Sequence, residues 1–157
     1  LGKAVRRLVA GKAIFVQATG LGAGIQHHHG VAQARQGLYA AERCARITLP
    51  DLKRWCLRGE GPHEGQVLMN RELRAKVRFE VGNLLDPMPG LGLFDVIFLR
   101  NVLIYFDQPT KEKLVARFAQ ALEPGGHLYI GHSERVSGPA ADLLEPVGPT
   151  IYMRRGR

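Results

Sequence analysis

The chain has 157 residues, 45% of them hydrophobic, and a formal net charge of +8. That length suits a single domain with a core of its own, and no apolar run approaches the ~20 residues that a membrane-spanning helix requires. The positive balance favours an acidic partner, but the basic residues are scattered without interleaved aromatics, which argues against dedicated nucleic-acid binding.

Residues 1–12 are basic and carry no recognisable element; Gly11 and Lys12 break the apolar stretch that a secretory leader would need. The chain begins with Leu1 rather than Met, as a fragment would. Ala13–Ala18 reads as a short strand, and Gly20, Gly22 and Gly24 follow it. A strand running into a glycine-rich loop suits a nucleotide-like cofactor, although so short a pattern carries little alone. Residues 25–37 read as a helix weakened by Gly30 and by His27-His28-His29. Three adjacent histidines fan around a helix and cannot share one metal ion, so no metal site is expected. Cys44 and Cys56 lack framework number and ligand spacing; they fit small apolar residues in a reducing cytoplasm.

Residues 49–58, LPDLKRWCLR, predict a short helix with Pro50 in its first turn and Gly59 as its stop. RGEGPHEGQV, residues 58–67, is dense in turn formers and predicts a loop or tight hairpin. Residues 76–81 alternate strictly, Val77, Phe79 and Val81 against Lys76, Arg78 and Glu80, as a strand with one wet face does. LFDVIFL, residues 93–99, reads as a strand buried on both faces. Asp107 then offers an N-cap, Pro109 lies in the first turn, and Leu114, Phe118 and Leu122 stripe one side of a helix over 108–122. Pro124-Gly125-Gly126 ends that helix, and residues 127–131 form another strand. Residues 142–155 predict a final antiparallel edge strand. Strand, helix and strand in this order make a βαβ crossover, hence an α/β fold with a parallel sheet.

Ligands of such sheets bind beyond the carboxyl ends of the strands. Gly82–Asp86, Arg100-Asn101-Val102 and His132-Ser133-Glu134 each follow a predicted strand there. Singly, such residues are turn formers; three polar segments at one edge point to a site.

The run FDVIFLRNVLIYFDQPTKEKLVARFAQALEPGGHLYIGHSE resembles the second half of the CheR-type chemotaxis-receptor methyltransferases. RGEGPHEGQV and VGNLLD fit the same family in the same order, and ARQGLYAAERCARITLPDLKRWCLRG fits the lead into its small inserted β-subdomain. LEPGGHLYIG alone is a general methyltransferase signal, whereas FLRNVLIYFD together with GHSE is selective. The resemblance implies a Rossmann-like methyltransferase sheet, incomplete at its N-terminal side, with an antiparallel β-subdomain inserted at about 45–80. It implies a divergent segment over 1–33 and a catalytic domain over 34–157. It further implies S-adenosylmethionine as methyl donor and acidic chemoreceptor helices in the cytoplasm as substrate, with neither nucleic acid nor membrane insertion. On the matching positions, Asn83 and Leu84 would contact the adenosine part, and Arg100 and Asn101 would border the cofactor. Tyr105 would approach the transferred methyl, and His132 and Ser133 would line the same mouth. Without the motif, Tyr105 reads as a core aromatic.

Two alignments of the glycines stay open. In the family, an early strand precedes an acidic, glycine-containing loop, and a second strand ends in Ala-Thr-Asp, whose acid binds the ribose. Here Ala18-Thr19 is followed by Gly20 where the acid belongs, so the favoured alignment makes Gly20–Gly24 an altered second loop and leaves the first strand missing. The rival treats Gly20–Gly24 as the first cofactor loop and lacks the ribose acid. Two functions follow from these, a glutamate methyltransferase or a non-catalytic receptor-binding or orphan module.

Overall fold

The computed structural model describes residues 4–10, 13–18, 32–86 and 92–156. The expectations for Gly20–Gly24, for His27–His29 and for the first part of the 25–37 helix lie outside the described residues. Their contacts divide the described residues into two compact units, with boundaries at Leu21/Gly22 and Phe79/Glu80.

The larger unit is built on a seven-stranded mixed sheet. Its strands are β1 (Ala4–Ala10), β2 (Ala13–Ala18), β6 (Val77–Asn83), β7 (Phe94–Leu99), β8 (Leu122–Ile130), β9 (Leu144–Gly148) and β10 (Ile151–Arg154), in the order β6-β1-β2-β7-β8-β10-β9. β2 and β8 both run parallel to β7, while β1/β2, β8/β10 and β10/β9 are antiparallel. This is the α/β methyltransferase-type architecture expected. The predicted βαβ crossover is β7, helix α4 (Gln108–Gln120) and β8.

Helix α4 starts where its signals place it. Asp107 Oδ1 accepts from the Thr110 N–H at 2.9 Å, and Pro109 costs nothing in a first turn whose N–H groups have no helical acceptor. Leu114, Val115, Phe118 and Ala119 are buried. They join Ile97 and Leu99 of β7, Leu122, Leu128 and Ile130 of β8, Val16, and Leu84 just after β6 in one core cluster. At ~1.5–3 kcal/mol for each large apolar side chain fully buried, this cluster is what holds the crossover against the sheet.

Several expectations need correction. Residues 1–12 show no recognisable element in sequence, yet Ala4–Ala10 forms β1, paired antiparallel with β2. A strand with no strong alternation of its own is stabilised by the partner it meets, which local pattern does not show. The strand expected at 127–131 begins at Leu122, so Pro124-Gly125-Gly126 lies inside β8 rather than between elements. It makes an irregularity there: Phe94 pairs with Leu122, but Val96 already pairs with His127. Gly125 sits at φ +80°, and a Cβ on Gly126 would meet the Glu123, Phe94 and Asp95 carbonyl oxygens at 2.9, 3.0 and 3.1 Å. The single edge strand expected over 142–155 is two strands, and β9, not β10, is the edge. Arg154 donates from Nη1 to the Gln120 and Leu122 carbonyls, fastening β10 to the end of α4.

The smaller unit carries a three-stranded antiparallel sheet, β3 (Leu38–Ala40), β5 (Gln66–Met69) and β4 (Cys56–Arg58), in the order β3-β5-β4. A short helix, α1, covers 32–36. Helix α2 (Leu49–Trp55) is capped by Thr48, whose Oγ1 accepts from the Asp51 N–H. The sequence had extended this helix to residue 58. It stops at Trp55 because Cys56 turns extended and pairs with Met69 in the sheet. Residues 58–67 form the expected hairpin connection, with a 3-10 turn over Gly61–His63. Helix α3 (Arg71–Ala75) is capped by Asn70, and β6 follows. β6 extends to Asn83, so Asn83 ends the strand instead of following it.

Candidate functional site

β2, β7 and β8 run the same way, so their carboxyl ends share one edge of the sheet. Leu99 ends β7 and faces Ile130, which ends β8. The residues that leave these strands are therefore neighbours, although 32 positions separate Arg100 from His132. Arg100 Nη2 lies 3.1 Å from His132 Nε2. A guanidinium only donates, so Nε2 accepts and the imidazole proton sits on Nδ1. Both side chains are exposed. Adjacent strands are ~4.8 Å apart, which brings the two within reach but leaves their polar ends facing outward from the sheet edge.

Asn101 takes a left-handed conformation, φ +56°, at the point where the chain turns out of β7. Asn tolerates that region better than most residues with a Cβ. The turn sends Val102 and Leu103 back into the core, at 0% and 1% exposure. It leaves Ile104 and Tyr105 outside, in a 3-10 turn over Leu103–Tyr105. Tyr105 is 37% exposed and hence not the core aromatic that its residue type alone suggests. Ser133 is exposed beside His132.

Asn83 and Leu84 stand apart from this group. β6 is three places from β7 in the sheet, on the order of 14 Å at the usual strand spacing. Asn83 Oδ1 accepts from the Leu85 N–H at 3.0 Å, an Asx turn that ends the strand. Leu84 is fully buried in the core cluster. Arg117 of α4 reaches this segment, donating from Nη2 to the Asp86 carbonyl at 2.7 Å. The structure thus brings Arg100 and His132 into contact, with Asn101 and Ser133 next to them, and places Asn83 and Leu84 at the far side of β1 and β2.

In sequence Glu134 is only one of three polar residues after a predicted strand. It is 8% exposed, and its Oε2 accepts from the Gly131 N–H at 2.7 Å. The single signal for it in the sequence was its place in GHSE.

Two surface grooves lie elsewhere. One of about 700 Å³ flanks α4, between Leu85, Thr110, Arg117 and Pro139. The other, about 450 Å³, lies in the smaller unit between Leu38, Leu57, Leu68 and His63. Of the three strand-end segments expected at the site, only Leu85 of Gly82–Asp86 lines one of them, the groove along α4. Also in the smaller unit, burial and then the nearby Cys44 push the Cys56 thiol up from its ordinary 9.0. Among the described residues no group of three or more His, Cys, Asp or Glu could hold a metal ion, and no helix is long and apolar enough to cross a membrane.

Residues 17–153 match the family described as "CheR methyltransferase, SAM binding domain". The chain belongs to that family. The match begins at the last two residues of β2, takes in β3 to β9 and all but the last residue of β10, and includes the whole Arg100–His132 edge. A chemotaxis protein methyltransferase of Klebsiella aerogenes is 45% identical over 121 residues, which cover 76% of this chain and 41% of that protein. Chemotaxis protein methyltransferase 2 of Pseudomonas aeruginosa is 43% identical over 120 residues, covering 76% and 42%. A chemotaxis protein methyltransferase of Salmonella typhimurium is 43% identical over 121 residues, with the same coverage. This CheR-family chain therefore spans about two fifths of the length of these curated relatives.

The donor set fits the family's cofactor. S-adenosylmethionine carries an amino acid, a ribose and an adenine, all of which need hydrogen-bond donors and acceptors. The edge offers a guanidinium, a carboxamide, an imidazole and a hydroxyl on Arg100, Asn101, His132 and Ser133, all exposed.

Proposed function

We propose that this chain binds S-adenosylmethionine at the carboxyl edge of β2, β7 and β8, and that its methyl group goes to glutamate carboxylates of chemotaxis receptors. The observation that carries this reading is the Arg100–His132 contact at the ends of two parallel strands, inside the stretch matched to the family. Arg100 and Asn101 border the cofactor in this reading, and His132 and Ser133 line the mouth. Asn83 and Leu84 serve the adenosine side, Asn83 through its strand-end turn and Leu84 by shaping the floor from within the core. Tyr105, exposed on the connection between β7 and α4, stands where an acceptor would enter.

When bound, the cofactor supplies a sulfonium methyl that a carboxylate oxygen can attack in line. A glutamate side chain is already ionised at neutral pH, so no strong base is needed. The chain's own contribution is to orient the acceptor and keep water from the reacting atoms, and positioning of this kind can supply several kcal/mol. Residues 22–79 contain ten Lys and Arg against five Asp and Glu. That excess would steer an acidic receptor helix towards the protein. The domain reading follows the same line, with a receptor-facing β-subdomain at about 45–80 and the cofactor edge built by strands on either side of it.

Calorimetric titration with S-adenosylmethionine and S-adenosylhomocysteine tests this. Saturable binding is expected, weakened about tenfold by Arg100→Ala, the worth of one charge-assisted hydrogen bond. A folded chain that binds neither ligand at millimolar concentration refutes the reading. Binding without methyl transfer to receptor fragments would leave a cofactor-binding module and remove the transferase.

A further inference from the structure

Glu134 is the one charged side chain in the buried class among the described residues. It lies just beyond β8 and folds back over the end of that strand. Its Oε2 accepts from the Gly131 N–H at 2.7 Å, and its own N–H donates to the Gly131 carbonyl at 3.1 Å. These two bonds close the turn 131–134 from both sides. The carboxylate fills the space beside Gly131: a Cβ there would stand 2.8 Å from Oε2 and 3.1 Å from Cδ. His132 and Ser133 form the exposed tip, and His132 meets Arg100.

The second oxygen, Oε1, is buried without a hydrogen-bond partner. A buried acceptor left unsatisfied is costly. A Ser or Asn could close a turn through its own side chain without burying a charged group. What the longer side chain adds is reach: it returns three residues, wedges beside the strand end, and leaves the tip only one arrangement.

We propose that Glu134 is a positioning residue, which locks the 131–134 turn so that His132 Nε2 meets the Arg100 guanidinium at the ligand edge. Its importance for the cofactor rests on the function proposed above; its effect on His132 does not, and can be read without ligand.

The test uses the full chain labelled with 15N, observing the imidazole nitrogens of His132, assigned by loss of their signals in His132→Gln. The wild type is expected to carry its ring proton on Nδ1, because Nε2 accepts from Arg100. Glu134→Ala removes the wedge. Gly131→Ala displaces it from the other side, and because the atoms in the way belong to the Glu134 side chain and not to the backbone, the fold is expected to survive. Both are expected to release His132 to the Nε2–H tautomer that an unconstrained histidine side chain prefers. Glu134→Gln keeps an oxygen that accepts from Gly131 and is expected to restore the Nδ1 form. S-adenosylhomocysteine affinity should follow, falling about tenfold in both Ala variants and less than about twofold in the Gln variant.

Unchanged His132 signals in Glu134→Ala and Gly131→Ala overturn the proposal. So does failure of all three variants to fold, which would make Glu134 a stability residue only. If His132 responds as expected but the wild type binds no S-adenosylhomocysteine, positioning stands and the proposed function falls.

Discussion

Gly125 and Gly126 are adjacent in β8, and the structure assigns them opposite reasons for being glycine. Gly125 sits at φ +80° with nothing within 4 Å of a Cβ. Alanine there meets only the backbone penalty of the left-handed region, about 1–2 kcal/mol, partly offset by the lower entropy of the unfolded chain. Gly126 has no such penalty, but its Cβ would press on three carbonyl oxygens, two of them on β7 and all within 3.1 Å. These are backbone atoms that side-chain rotation cannot relieve, so Gly126→Ala should reach the upper end of the overpacking range, about 3 kcal/mol. Equilibrium urea unfolding followed by circular dichroism separates the two. With a slope of about 2 kcal/mol per molar urea, the midpoint should fall by about 1.5 M for Gly126→Ala and by about 0.5 M for Gly125→Ala. The reasoning is refuted if Gly125→Ala is equally or more destabilising, or if Gly126→Ala leaves the midpoint in place. The contact at stake also sets the β7/β8 register, which ends in the pairing of Leu99 with Ile130 and hence in the Arg100–His132 contact.

Two further outcomes follow from local geometry. Asp107→Ala removes the acceptor for the Thr110 N–H and should cost about 1 kcal/mol, a fall of about 2–4 °C in melting temperature for a chain of this size; an unchanged melting curve would show that the cap contributes nothing. Cys56, whose thiol burial and then Cys44 push up from its ordinary 9.0, should react slowly with iodoacetamide at pH 8. Cys44→Ala should speed the reaction at pH 9, because the repulsion between the two sulfur groups is gone; equal rates would exclude that repulsion. The sign for stability is that of a raised folded-state value: the contribution is complete below the ordinary 9.0 and is lost as pH rises through the folded value, so acidification does not weaken the fold through this group.

What was legible in the sequence depended on residues a few positions apart. The start of α4 was visible because Asp107, Pro109 and Thr110 act within one turn. Its core side was visible because Leu114 and Phe118 recur at the helical period. β7 was legible as a strand from its run of apolar and β-branched residues, although only Phe94, Ile97 and Leu99 are buried while Val96 and Phe98 are half-buried, and the hairpin after Arg58 was legible from its glycines and proline. The polar residues after β7 and β8 stood out as following predicted strands, and the motifs around them pointed to the family that the chain matches.

Tertiary structure decided everything that joins distant segments. β1 exists through its pairing with β2, and β10 came to lie between β8 and β9, neither of which any local pattern dictates. The Pro124-Gly125-Gly126 stretch has the composition of a helix stop, and only the pairing with β7 places it inside a strand. Arg100 and His132 became partners only because two parallel strands end in register. Tyr105 became exposed only because the turn at Asn101 sends its neighbours inward. Glu134 carries the same charge as the exposed acids in the sequence, and only the close approach of its carboxylate to Gly131 makes it a buried wedge. Local propensity operates over one turn of chain, whereas register, burial and contact are set by which segments pack together, and a linear pattern records those only in part.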